Sequence, residues 1–349
     1  MLPFVAHPQS QKWKFMVYGD TRGTSTSDQI NTLIVNELVR VTTNEQPAFV
    51  LVPGDLVNSG TLAAFQTWTN LMAPVYQAGI GVYPVIGNHD SADLTSYKAV
   101  FGPGIPNNGP VTEIDRAYAV AYSNALILNL DNFVNLSRVN QSWIDAVLAT
   151  NTRPHVFAQG HMPAFKANHL DCLDDYPSNR NTFWNSLSNV NCRIYFCGHD
   201  HFYSHTRIND GEGNPANDVH QMIVGCAGTP FHTTYASPYT PALVYHEVQY
   251  GYVVVEIDGN QVTSTFFHRT GANNYVASSD IFSYTLPLPT LTLNSSANGL
   301  TLTWPTPRGG TLQSAPDVSG PYSDVPEASS PYVITNFSTE RLFYGIRAC

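Results

Sequence analysis

Charge is what this 349-residue chain has least of. Asp, Glu, Lys and Arg make up 12% of it, about half the share of an ordinary globular protein. No run of Lys or Arg stands out, and the formal net charge is −10. Non-specific binding to nucleic acid needs a basic face, so that class is excluded. No apolar stretch approaches the roughly 18 residues of a membrane-spanning helix. The opening segment MLPFVAHPQSQKWKF lacks the basic start and apolar core of a secretory leader. Cys172, Cys192, Cys197, Cys226 and Cys349 include no C-x-x-C pair, which excludes a zinc ribbon. Cys172 and Cys192 could close a disulfide across a loop or sit as buried thiols, and the sequence leaves both open.

Tyr (19), Phe (17) and runs of Asn, Ser and Thr fill the gap left by charge. That composition suits a β-rich protein in a secreted or periplasmic setting, with any leader outside this sequence. Apolar residues, at 43%, allow a sizeable core. The length suffices for one large domain or two.

The chain alternates short apolar runs with amphipathic stretches. WKFMVYGD, PAFVLVPGD, GVYPVIGNHD, PHVFAQGH and CRIYFCGHDH read as buried strands, each ending in polar residues. Helices are expected over 27–41, on a stripe of Ile30, Leu33, Ile34, Leu38 and Val41, and over 61–72, 138–149 and 183–187. YAVAYSNALILNLD predicts a hairpin, and HQMIVGCAGTP, YGYVVVEIDG and QVTSTFFHRT predict further strands. Composition changes near Tyr284. Pro287 and Pro289 read as a linker, and Asn298-Gly299 as a turn between alternating runs. The expected organisation is an α/β domain over 1–286 and a small all-β sandwich domain over 287–349, which contains no His.

Five strand ends carry residues of ligand type. They are Gly19 to Arg22 (GDTR), Gly54-Asp55, Gly87 to Asp90 (GNHD), Gly160-His161 and Gly198 to His201 (GHDH). In layered α/β folds, chemistry collects at the carboxyl ends of strands. Imidazole suits Zn, Fe, Mn or Co, and carboxylate supplies negative charge, so the mixture points to a metal centre. Helix N-capping is the plain alternative for Asp20 and Asp55.

In its order, this set resembles the calcineurin-like metallophosphoesterase superfamily, in its purple acid phosphatase-like branch, over roughly residues 14–285. The resemblance implies two mixed sheets packed face to face, flanked by helices, with the site at one edge. It also implies two divalent or trivalent metal ions (Fe, Zn, Mn or Co) and hydrolysis of phosphate esters by a hydroxide held between them. Asp20, Asp55 and His201 would hold the first ion. Asp55, Asn88, His161 and His199 would hold the second, with Asp55 as the bridge. His89 would protonate the leaving oxygen, oriented by Asp90.

Two positions depart from the family. Arg22 stands where many members have a ligand histidine, and Asn58 where purple acid phosphatases have a metal-bound tyrosine. Water or the Asn58 amide would complete the first ion's coordination. Arg22 is expected either to hold a phosphate oxygen bidentately or to form a surface ion pair. His169 and His232 are expected at the substrate, His205 in a structural role, and Asp171, Asp174 and Asp175 on a solvated loop face. The expected activity is a phosphomonoesterase with diesterase side activity, acting on a small phosphate ester. Its rivals are a dedicated phosphodiesterase, for cyclic nucleotides or phospholipid head groups, and a non-catalytic binding protein with a degraded metal site. The C-terminal domain is a candidate for cell-surface or glycan contact.

Overall fold

The computed structural model describes residues 12–209, 213–287, 290–296, 299–304, 310–334 and 342–347. Pro289, Asn298, Cys349 and the first eleven residues, all considered above, lie outside them. The first run of elements is β1 (Trp13–Val17), β2 (Arg22–Ser25), β3 (Asp28–Ile30), α1 (Thr32–Glu45), β4 (Phe49–Val52), α2 (Leu62–Leu71), α3 (Ala73–Gln77), β5 (Gly81–Pro84) and α4 (Leu94–Phe101). A second run holds β6 (Tyr118–Tyr122), β7 (Ala125–Asn129), α5 (Gln141–Thr150), β8 (His155–Gln159), α6 (Pro177–Ser188), β9 (Ile194–Cys197), β10 (Tyr203–Ile208), β11 (Val219–Val224) and β12 (Leu243–Glu247). Then β13 (Gly251–Asp258), β14 (Gln261–Gly271) and β15 (Asn274–Thr285) return to the first sheet. That six-stranded sheet has the order β15-β14-β13-β1-β4-β5, and the seven-stranded sheet the order β12-β10-β11-β9-β8-β7-β6.

Side-chain alternation along the strands sets the layers. Phe15, Val17, Phe49 and Leu51 of the first sheet meet Ile127, Phe157, Phe196 and Met222 of the second. The residues between them, Met16, Val50 and Val52, face Ile34, Leu38, Phe65 and Trp68 of α1 and α2. Leu128, Val156 and Ala158 likewise face Ile144 and Leu148 of α5 and Phe183 and Leu187 of α6. Central strands buried on both faces read as unbroken apolar runs, and these are the strands the sequence marks. The two-sheet sandwich flanked by helices is the expected fold.

Several local expectations are corrected. Helix α1 begins at Thr32, not at 27, because β2 and β3 form a hairpin that pairs Arg22 with Ile30. Ile30 is buried from a strand, so it gives the helical stripe the wrong phase, and Leu33 is 64% exposed. The N-caps of α1 and α2 are Asn31 and Thr61, which frees Asp20 and Asp55 from that role. Strands β10, β12 and β15 escape the sequence reading, since His, Ser and Asp interrupt their apolar pattern. Cys172, Cys192, Cys197 and Cys226 are free, buried thiols, so the disulfide alternative falls.

Beyond Leu286 the described elements are all strands: β16 (Thr292–Ser296), β17 (Gly299–Thr303), β18 (Thr311–Ala315), β19 (Ser323–Asp324), β20 (Tyr332–Ile334) and β21 (Phe343–Arg347). They form two three-stranded sheets around Leu302, Trp304, Leu312 and Ile346. No helix among the described residues is long and apolar enough to cross a membrane.

One polar network ties the two large sheets together. The Tyr203 hydroxyl donates to Asp280 Oδ2 at 2.6 Å, and His205 Nδ1 donates to Asp280 Oδ1 at 3.0 Å. His205 Nε2 then accepts from His220 Nδ1 at 2.6 Å. Asp280 lies on β15 of one sheet and the other three on β10 and β11 of the other, all buried. Burial drives the His220 pKa down to about 2, so the ring stays neutral and gives its single proton to His205. Asp280→Ala would orphan two buried donors, at about 1–3 kcal/mol each. We expect a loss of about 3 kcal/mol in stability, read from urea midpoints. An unchanged midpoint would show that the network contributes nothing.

Candidate metal centre

Strands β1, β4, β5, β8 and β9 deliver their polar ends to one edge of the sandwich. Backbone bonds stitch those ends together: Gly19 N–H to Val224 O, Asp20 N–H to Gly54 O, Arg22 N–H to Asp55 O, and Gly198 N–H to His161 O. The packing is so close that a Cβ on Gly87 would lie 2.2 Å from Asp55 Oδ1, and one on Gly198 2.2 Å from Asp20 Oδ2. Asp20, Asp55 and His199 adopt left-handed backbone, with φ of 58°, 52° and 71°. Such strain persists only where the surroundings over-determine it, and it clusters at functional sites.

The structure brings the residues expected at the second position together. His161 donates Nδ1–H to Pro53 O at 2.8 Å, which leaves its Nε2 lone pair facing Asn88 Oδ1 at 2.9 Å. His199 Nδ1 faces the same amide oxygen at 3.1 Å, while its Nε2 lies 3.3 Å from Asp171 Oδ1. Asp55 Oδ1 is 3.5 Å from His161 Nε2. Burial drives the His161 pKa down to about 4, so no proton sits on Nε2. Asn88, His161, His199 and Asp55 thus turn donor atoms towards one point. A first-row cation that takes mixed N and O donors fits that point. Asp20, Asp55 and His161 offer buried ligand atoms within 4.8 Å of one another. Burial, then the charge of Asp55, pushes the Asp20 pKa well above the carboxylate range.

The first position is built differently. His201 donates Nδ1–H to Pro230 O at 2.9 Å, so its Nε2 also carries a lone pair. That lone pair meets Arg22 Nη2 at 3.3 Å. Arg22 Nη1 donates to Gly23 O at 3.2 Å and Asn58 Oδ1 at 3.3 Å, and Nε lies 3.3 Å from Asp55 Oδ2. Asp20 accepts the His199 N–H at 3.1 Å and stands 3.8 Å from His201 Nε2. The Arg22 side chain is 13% exposed, so it is no surface ion pair. Its fork is also largely engaged, which leaves no pair of N–H groups free for bidentate capture.

Around these positions, some expectations change. His89 sits at the mouth, 30% exposed, with Nε2 4.0 Å from Asp55 Oδ2. Its Nδ1 donates to Asn58 O at 2.6 Å, so a main-chain carbonyl, not Asp90, orients the ring. Asp90 is wholly buried and accepts the N–H groups of Leu56, Val57 and Gly87 at 3.0, 3.3 and 2.9 Å. Burial, then Asp55, raises its pKa to about 7. It is a brace for the turn that presents Asp55. Asp171 does not merely face solvent: the hydrogen bond from His199 holds its pKa at about 2.

His169 stacks on His199 with centroids 4.1 Å apart, and His232 on His201 at 4.0 Å. His169 Nδ1 donates to Asp200 Oδ1 at 2.7 Å, and His232 Nδ1 accepts the His201 N–H at 3.1 Å. Both rings therefore back the candidate ligands and reach the site rim. Asp200 and Asn132 went unmarked in the sequence. Asp200 also accepts the Asn168 and His169 N–H groups at 3.0 and 2.9 Å, and Asn132 Oδ1 those of His161 and Met162, both at 3.0 Å. Neither has a sequence signal beyond being polar at a strand end.

The model for calcineurin-like phosphoesterases matches residues 14–203. Among solved structures, the purple acid phosphatase PPD1 from yellow lupin (Lupinus luteus) seeds is 16% identical, with a TM-score of 0.62 over 79% of this chain and 54% of that one. The chain thus spans about half the length of the lupin protein. GAP50 of Plasmodium, the anchor in its inner membrane complex, is 16% identical, with a TM-score of 0.56 over 79% of this chain and 88% of that one. PhoD is 11% identical, with a TM-score of 0.52 over 88% and 74%. At such identities the likeness is one of fold. No curated protein matches the chain.

Asp90→Ala would leave three buried N–H groups without their acceptor, at about 1–3 kcal/mol each. We expect at least about 3 kcal/mol of lost stability, together with weaker metal retention after dialysis. Asp90→Asn, which keeps one acceptor oxygen, should lose less. Wild-type melting and metal content in Asp90→Ala would contradict the bracing role.

Proposed function

The chain belongs to the calcineurin-like phosphoesterase family, and on that premise we propose a phosphomonoesterase with diesterase side activity. It is a metal-dependent hydrolase, and the family implies a dinuclear centre. The observation that carries the finer reading is the divergence of the Asp55 carboxylate. Oδ1 faces His161 and Oδ2 faces Arg22, with His89 above it at the open mouth.

Asp55, Asn88, His161 and His199 would hold a cation, with Fe, Zn, Mn and Co the suitable identities. Bound there, the cation polarises a phosphoryl oxygen and eases deprotonation of water. The rest falls to the chain. Pro53 O fixes the His161 tautomer and Asp171 aligns His199, as carbonyls and carboxylates do behind metal-bound histidines. His89 has one ring nitrogen committed to Asn58 O, so only Nε2 can carry a proton to a leaving oxygen. His169 and His232, 32% and 23% exposed, line the rim where a phosphate ester enters. The Arg22 guanidinium and the His89 ring beside Asp55 favour a dianionic monoester over a monoanionic diester. We further propose that residues 1–286 suffice for hydrolysis, since the candidate ligands all precede Leu286. Residues 287–349 would then serve spacing or surface contact. The low share of charged residues supports a secreted or periplasmic setting.

The experiment compares p-nitrophenyl phosphate with bis-p-nitrophenyl phosphate, and we expect the larger kcat/KM for the monoester. The reverse order would favour a phosphodiesterase. Strong chelators should abolish both activities, and added metal should restore them. His89→Ala should lose roughly 10²–10⁴-fold on alkyl phosphates and less on p-nitrophenyl phosphate, whose leaving group needs little protonation. Its metal content should match the wild type. Equal losses across leaving groups would assign His89 to electrostatic stabilisation instead.

A further inference from the structure

We propose that Arg22 replaces the first metal ion, so that the working centre pairs one bound cation with a fixed guanidinium. The inference rests on the metal-dependent reading above and concerns how the two positive charges are supplied. At the second position, His161 Nε2 and His199 Nδ1 both face Asn88 Oδ1, at 2.9 and 3.1 Å. At the first position, two candidate donors already meet a guanidinium N–H. His201 Nε2 meets Arg22 Nη2 at 3.3 Å, and Asn58 Oδ1 meets Nη1 at 3.3 Å. Asp55 Oδ2 lies 3.3 Å from Nε. A cation bound at about 2.0–2.2 Å to His201 and Asp55 would have to share the space the guanidinium fills.

Three further observations agree. First, Arg22 is held in place: its backbone N–H donates to Asp55 O at 3.1 Å, and its β2 position is paired across the hairpin to Ile30. Secondly, the guanidinium cannot lose its proton, so its charge is permanent. Thirdly, Asp20, a ligand of the first ion in the family pattern, here accepts the His199 N–H, at 3.2 and 3.1 Å from its two oxygens. It thereby fixes the left-handed turn that aims His199 at the second position.

One divalent ion and one guanidinium also suit the two buried carboxylates better than two divalent ions would. They leave a modest positive excess for a phosphate, without setting a second divalent charge against an arginine at contact distance. Of the guanidinium's five N–H groups, Nη2 keeps one that neither His201 nor Asn58 takes. That one can reach a phosphoryl oxygen, so Arg22 contacts substrate through a single bond.

The test loads the full chain with Mn(II) and reads metal content together with electron paramagnetic resonance. We expect one manganese per chain and the six-line signal of an isolated ion. Arg22→His restores the residue that many family members carry, and should take up a second ion and show an exchange-coupled spectrum. Arg22→Ala should lose roughly 10²–10³-fold in kcat/KM, the usual loss for a donor to developing charge. Millimolar guanidinium should recover part of that loss. Two coupled manganese ions in the active wild type would overturn the proposal while leaving metal-dependent hydrolysis intact. Wild-type kcat/KM in Arg22→Ala with one bound manganese would overturn it too, even if Arg22→His failed to fold. No bound manganese and no hydrolysis in the wild type would overturn the underlying metal reading as well.

Discussion

Everything at this edge of the sandwich answers to one electrostatic constraint. Asp20 and Asp55 are both buried, at 0% and 1% exposure. Two carboxylates in such a place cannot both stay ionised unless cations or N–H groups surround them. The structure supplies N–H groups from His199 to Asp20 and from His89 to Asp55. It sets a guanidinium on one side of Asp55 and the candidate ligand His161 on the other. The glycines before each motif residue follow from the same need. Only bare backbone can approach the carboxylates this closely, and Gly87 and Gly198 are where the approach is tightest.

The constraint also explains the backbone. Three non-glycine residues of the site take left-handed φ values, a conformation that is usually avoided. Each is a residue whose side chain must turn sharply from its strand into a crowded centre. Asp and His tolerate the left-handed region better than branched residues do. The strain is compensated locally, since the carboxylates that turn inward capture the N–H groups of neighbouring motifs. Folding the edge and charging it are therefore one process. A chain lacking the carboxylates would lose both the turns and the reason for them.

The sequence makes legible what is local. Five apolar runs ending in Gly plus a ligand-type residue are each visible in a few letters, and their shared sheet edge follows from topology. The central strands were equally plain, because burial on both faces leaves an unbroken apolar run. What stayed hidden depends on partners far along the chain. Asp90 reads as the companion of its neighbour His89, but its carboxylate turns to Leu56 and Val57, more than thirty residues away. Asp171 looks like part of an acidic surface loop until its distance to His199 is known. Strand β15 carries Ser and Asp at buried positions, since Asp280 serves a polar network that only the second sheet completes. The β2–β3 hairpin hid inside a helical stripe because Ile30 is buried for strand reasons.

The two departures from the family pattern, Arg22 and Asn58, prove to be a single arrangement. The Asn58 side chain accepts from Arg22 Nη1, and its main-chain carbonyl accepts from His89 Nδ1. One residue therefore positions the guanidinium and the proposed proton donor together. A tyrosine at 58, committed to a metal ion, would not offer the guanidinium a free acceptor. A histidine at 22, committed to the same ion, would have no use for the amide. Each departure makes sense only beside the other. A change at position 58 should therefore be felt at both the charge beside Asp55 and the ring that faces the leaving group.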